Sequence, residues 1–285
     1  MNVAKNQNIK KGIVLTICYA FLMSISTASA KQTQTLINPF TLLFWQSLLC
    51  CLIVLPQVKN IKIESFKPIW KLLILRSLAG FIALVCFYFA LNHIPIVEAS
   101  LLRNCAPLCV PLAVLFFHGI AIPAQRFIPL MIGFIGVLVI MRPTPTNINV
   151  WHIVGFTSAI GLALSMVTTR MVSLHISANQ SLFGYFFIST ICALFTVLFT
   201  GNSVGIPSNS WLWVLVVSIS LYLGLYLYTL AYSYAPASIV SPVSYIGVAF
   251  NAILGWVIWH HVPDTYAWIG AALIIFSVWI ASKGK

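Results

Sequence analysis

Ten almost wholly apolar stretches, each of about 16 to 23 residues, recur along this chain at roughly 12–30, 39–56, 69–91, 95–117, 126–141, 151–171, 180–200, 211–232, 238–258 and 264–282. Each approaches the about 20 residues that an α-helix needs to cross the hydrocarbon core of a bilayer. Water is absent there, so a spanning segment must satisfy its own backbone hydrogen bonds, and a helix does so within one segment. The expected fold class is therefore an all-α integral membrane protein with ten transmembrane helices.

Composition closes the alternatives. The chain has 285 residues, of which 61% are hydrophobic and 6% charged, against about 25% charged in a soluble domain. A net charge of +12 would suit a nucleic-acid partner if the basic residues shared a polar surface. They lie mainly between apolar runs instead, so no nucleic-acid partner is expected. The seven cysteines all fall inside apolar runs and form no Cys-x-x-Cys pair; they read as soft apolar filler. No metal site or cofactor motif is expected.

The basic residues set an orientation. With a cytoplasmic N-terminus, the cytoplasmic ends and loops hold Lys5, Lys10, Lys11, Lys59, Lys62, Lys67, Lys71, Arg126, Arg170, Lys283 and Lys285, and the opposite side holds only Lys31 and Arg142. That asymmetry places both termini in the cytoplasm. Ala28-Ser29-Ala30 has the look of a signal-peptide cleavage site. The internal repeat argues for a permanent helix there instead.

FALNHIPIVEAS at 89–100 aligns with LAYSYAPASIVS at 230–241. Ala90 meets Ala231, Pro95 meets Pro236 and Ser100 meets Ser241, each 141 residues on. The same offset pairs Val137 with Val278 and Ser24 with Ser165. Five spans per half is an odd number, so the halves, 1–145 and 146–285, are expected to be inverted repeats. Transporters built that way place the solute site near the midplane, where the halves meet.

The pattern N-HIP-VEASLL--CAPL-VPL at 92–112 and the close GFIGVLVIMRP at 133–143 resemble the drug/metabolite transporter superfamily, best its EamA type. RSLAGFIALVCFYFAL at 76–91, running into IPIVEASLL, is more specifically similar to the branch of bacterial S-adenosylmethionine uptake carriers. The resemblance covers nearly the whole chain and implies a bacterial inner membrane. Two places depart from the pattern. His118-Gly119 and His260-His261 stand where the family often ends spans four and nine with Gly-Glu, and Gln46 stands where the S-adenosylmethionine branch commonly carries Arg.

Polar residues inside the spans are the candidate site. A central Arg costs roughly 2.5–3.5 kcal/mol on insertion scales, so it faces a cavity or a partner. Arg103, near mid-depth of span four, is expected to meet an anionic group of the solute; the alternative is a tie to carbonyls freed by Pro107. Glu98 lies 140° from Arg103 around an ideal helix, which argues against a salt bridge within it. It is the one embedded acid and a candidate proton or cation site. Arg76 either snorkels to the headgroups or serves as a gate or anchor. Asn104, Tyr245, Asn251, mid-span Tyr226, Trp45 and Gln46 complete the candidate set; helix packing and the interfacial aromatic belt are the alternatives for the second-half polar and aromatic residues.

The function these features imply is secondary transport of a small metabolite by alternating access. An amino acid or a derivative such as S-adenosylmethionine is the expected solute, with export of amino acids or drugs as the alternative. There is no phosphate-binding Gly-x-x-x-x-Gly-Lys-Ser/Thr. Three acids and no His-Glu-x-x-His argue against a membrane-embedded enzyme. A channel would call for a ring of charges or carbonyls about an axis. The partners expected are a small molecule and the lipid bilayer; the oligomeric state stays open.

Overall fold

The computed structural model describes residues 8–33, 36–58, 69–91, 93–94, 99, 102–118, 127–141, 149–259 and 265–283. The regular elements among them are all helical: α1 Ile9–Thr33, α2 Pro39–Val54, α3 Trp70–Leu91, α4 Ala106–His118, α5 Phe127–Met141, α6 Val150–Ser173, α7 Ala178–Phe199, α8 Trp211–Tyr234, α9 Ala237–Ser244, α10 Ile246–Trp259 and α11 Thr265–Lys283. Seven segments are long and apolar enough to cross a membrane: Ile9–Ala30, Pro39–Val58, Trp70–Ala90, Val150–Ser173, Ala178–Phe199, Ser208–Tyr234 and Ile239–Ile258. Ala106–Phe117, Phe127–Met141 and Thr265–Ala281 are apolar but shorter. The boundary at 145/146, Glu98 and much of the loop charge lie outside the described residues.

Local chemistry sets the helix ends. Pro39 opens α2, where a missing N–H costs nothing, and the Asn38 side chain accepts from the Phe40 N–H at 2.9 Å. Ser177 and Gln180 cap α7 reciprocally. At its other end Gly201 takes φ 66°, while the Gly201 and Asn202 N–H groups return to the carbonyls of Leu198 and Val197. That closure needs a left-handed residue, which glycine supplies without strain.

The helices pack through small residues. Ala106, Ala159, Ala163, Ala231 and Ala235 are all fully or almost fully buried in one cluster. A Cβ on Gly136 would sit 2.8 Å from the Gly270 carbonyl oxygen, and one on Gly270 would sit 2.6 Å from the Gly136 carbonyl oxygen, so two bare backbones touch where α5 crosses α11. Such close approach stabilises helix pairs in lipid, where apolar burial gives no preference. Large apolar side chains such as Phe116, Leu198, Phe199 and Val257 point outward.

The most extensive pairings are α1 with α8 and α3 with α6; α4 packs on α6 as α10 does on α1, and α3 on α7 as α2 does on α8. The fourth apolar run does not form the continuous 95–117 helix that its composition suggests. A short helical piece at 102–104 gives way to a tight turn, with Cys105 N–H on the Leu102 carbonyl at 3.1 Å, before α4 begins. The ninth run breaks in the same manner between α9 and α10, with Tyr245 N–H on the Pro242 carbonyl at 3.3 Å. Pro111 and Pro242 lie inside these pieces, and each removes a helical donor.

Candidate functional site

Two guanidiniums lie inside the bundle. Arg76 on α3 is 3% exposed. Its Nε donates to Thr169 Oγ1 of α6 at 2.8 Å, and its Nη1 donates to the carbonyl and hydroxyl oxygens of Ser181 on α7 at 2.7 and 2.8 Å. Nη2 reaches Thr229 Oγ1 of α8 at 3.5 Å. The Tyr185 ring faces the guanidinium at 5.1 Å. Arg76 thus ties four helices together, which sets it apart from a residue snorkelling to the headgroups.

Arg103 is held differently. Its guanidinium lies 4.6 Å over the Phe87 ring, a cation–π contact. It makes no hydrogen bond or ion pair among the described residues. Tyr19, Tyr88 and Tyr185 stand within its electrostatic reach. The chain has three acids, Glu64, Glu98 and Asp264, and none falls among the described residues. Within the described helices these two buried charges therefore have no carboxylate partner.

Aromatic side chains from four helices wall this region. Tyr19 of α1 stacks on Tyr228 of α8 at 4.2 Å, and Tyr228 shares a 2.8 Å hydroxyl hydrogen bond with Tyr232. Tyr228 and Tyr232 are closed off, whereas Tyr19, Phe87, Arg103 and Tyr185 each retain accessible surface. Tyr19, Arg103 and Tyr185 are at the same time surrounded by protein. Their accessible surface therefore faces a chamber within the bundle, not the outer wall. Gly80 keeps α3 close to it: a Cβ there would stand 3.0 Å from both the Tyr185 ring and Ser165 Oγ.

The other candidates are spread out. Tyr226 lines a separate cavity of about 230 Å³ at the α6–α7 turn, with Ser173, Ser177, Asn179, Thr229 and Ser233. Thr229 is shared between that cavity and Arg76. Asn104 Nδ2 is 3.9 Å from Met141 Sδ. Tyr245 is 2% exposed and its hydroxyl has no hydrogen-bond partner among the described residues. Asn251 is exposed, and Gln46 is buried in α2. The Trp45 indole donates to the Val204 carbonyl at 2.8 Å and packs edge-on to Trp211. No hydrogen bond or ring contact joins Trp45, Gln46 or Asn251 to Arg103. Tyr19, Phe87, Tyr88 and Tyr185 were not singled out by the sequence. Their signal is a mid-span aromatic, visible only once Arg103 supplies a centre.

The profile of the EamA-like transporter family matches residues 10–142 and again residues 149–283. The chain belongs to the EamA-like transporter family. A pseudopaline exporter, CntI, of Pseudomonas aeruginosa strain UCBPP-PA14 is 27% identical over 97% of this EamA-like chain and 98% of its own length. A riboflavin transporter of Vibrio cholerae is 24% identical over 93% and 90%. An S-adenosylmethionine uptake transporter of Rickettsia bellii is 24% identical over 90% and 89%, in keeping with the resemblance to that branch. A solved crystal structure superposes with a TM-score of 0.79 over 93% of this chain and 94% of that one. At 17% identity it speaks for the fold alone. The EamA-like protein is a multi-pass inner-membrane transporter of a small molecule, and it is not an enzyme.

Proposed function

We propose that the protein is a secondary carrier for an amino acid or amino-acid derivative, with the solute's carboxylate held by Arg103. The observation that carries this reading is Arg103 itself: a guanidinium inside the bundle whose N–H donors have no partner among the described residues. A planar donor fork of that kind matches a carboxylate two bonds at a time. Arg76 and Tyr226 mark the path towards the α6–α7 end. Glu98, the one embedded acid, is the proposed proton or cation site.

The proposed architecture is ten transmembrane helices in two inverted five-helix repeats, 1–145 and 146–285, with both termini cytoplasmic. The two family matches, the paired helix contacts and the paired helix breaks support it. Broken helices facing each other near mid-depth are how such carriers present backbone dipoles to a solute. S-adenosylmethionine is the proposed member of the solute class, supported by the relatives of that name. Export of amino acids, drugs or other metabolites is the second reading, favoured by the pseudopaline exporters at 27% identity.

The test is counterflow. Proteoliposomes loaded with unlabelled S-adenosylmethionine take up the labelled compound saturably if the proposal holds, and Arg103→Ala abolishes uptake while keeping a native unfolding transition. Equal uptake by native protein and Arg103→Ala removes the anchor; no uptake by folded native protein removes this solute.

A further inference from the structure

We infer that the chamber around Arg103 selects a solute joining a carboxylate to a flat heteroaromatic ring, and that Tyr19, Tyr88 and Tyr185 determine that specificity. The inference rests on the reading of this chamber as the solute site, and it adds what the far end of the solute must be.

The argument starts from polar groups left without partners. The hydroxyls of Tyr19 and Tyr88 make no hydrogen bond among the described residues, and neither belongs to the sealed, unpartnered groups of the interior. Tyr185 stands beside Ser189, whose own Oγ is buried without a hydrogen-bond partner. Tyr228 and Tyr232, by contrast, satisfy each other at 2.8 Å and are almost wholly buried. The structure thus divides its tyrosines in two. One pair forms a finished wall, and three tyrosines keep hydrogen-bonding capacity around a guanidinium that keeps its own.

Each of these polar groups is attached to an aromatic surface. Phe87 lies beneath the Arg103 guanidinium at 4.6 Å. Tyr19 has Tyr228 stacked on it at 4.2 Å and an interplanar angle of 26°, and it remains half-exposed to the chamber. Faces of this kind favour a flat ring set in offset or edge contact. The hydroxyls call for nitrogen or oxygen atoms at the rim of that ring. An aliphatic amino acid would satisfy Arg103 and leave three phenols without partners once water leaves, and a site built that way rejects the analogue lacking the groups. A bare nucleoside would satisfy the phenols and leave the guanidinium without its anion. The chamber is complementary to both halves in one molecule.

The test uses the purified full chain in lipid nanodiscs and reads equilibrium binding, so it does not depend on transport. Three probes separate the halves: S-adenosylhomocysteine carries carboxylate and ring, methionine the carboxylate alone, and adenosine the ring alone. The expected result is that S-adenosylhomocysteine binds at least about tenfold more tightly than either half. Tyr19→Phe, Tyr88→Phe and Tyr185→Phe each weaken it about 3–10-fold and leave methionine unchanged. These variants keep the ring and remove only the hydroxyl, so packing survives. Methionine binding as tightly as S-adenosylhomocysteine overturns the inference, as do three variants that bind like the native chain or a native chain that binds none of the probes. Ring-selective binding without counterflow would instead remove the carrier reading and leave the inference standing.

Discussion

Arg76 donates to partners on three other helices, whereas Arg103 donates to none among the described residues. The same side-chain chemistry should therefore give opposite results when removed. Arg76→Ala leaves Thr169 and Ser181 oxygens without their charged donor, and hydrogen bonds to a charged group are worth about 1.5–3 kcal/mol each. The expected outcome is a large fall in thermal unfolding temperature in detergent, only partly repaired by Arg76→Lys, because a single ammonium cannot span acceptors on three helices. Arg103→Ala should unfold at or above the native temperature while losing solute binding, the trade expected where a site is held ready at the expense of stability. Tyr245→Phe belongs with it. Its hydroxyl is buried with no partner among the described residues, so removing that hydroxyl should leave the unfolding temperature unchanged or raise it.

At the scale of elements, the α5–α11 crossing depends on two glycines whose absent Cβ atoms would meet carbonyl oxygens at 2.8 and 2.6 Å. Gly136→Val is expected to destabilise the fold by about 1–3 kcal/mol through overpacking, read as a lowered unfolding temperature, and Gly205→Val, on an exposed stretch where a Cβ would meet Ser203 Oγ alone, at 3.2 Å, should change it far less. The sequence spelled out the apolar runs, because hydrocarbon thickness imposes one length on each. It did not spell out the breaks at Cys105 and Tyr245. A proline such as Pro111 announces a lost donor, but which carbonyl is left and where the helix resumes depend on neighbours far away in the chain.

The whole molecule shows why the site was half legible. Arg103, Arg76 and Tyr226 stood out from sequence because a polar or aromatic residue in a span is rare or exposed to scrutiny by its cost in lipid. Tyr19, Phe87, Tyr88 and Tyr185 did not, because each is an unremarked aromatic until three helices fold around one guanidinium. Trp45 and Asn251 carried the same sequence signal as Tyr226. The first is tied to the Val204 carbonyl and the second is exposed. Periodicity could not separate them, since it gives a face and not a neighbour.

The central claim is a chamber at Arg103 that opens in turn to each side of the membrane. The measurement that tests it most directly places a single cysteine at Phe87, under the guanidinium, in a chain whose seven native cysteines are replaced by serine or alanine. A membrane-impermeant thiol reagent is then applied to right-side-out and inside-out vesicles. The account predicts labelling from both faces, slowed from both by saturating S-adenosylmethionine. Labelling from one face only, or labelling that the solute leaves untouched, would contradict it.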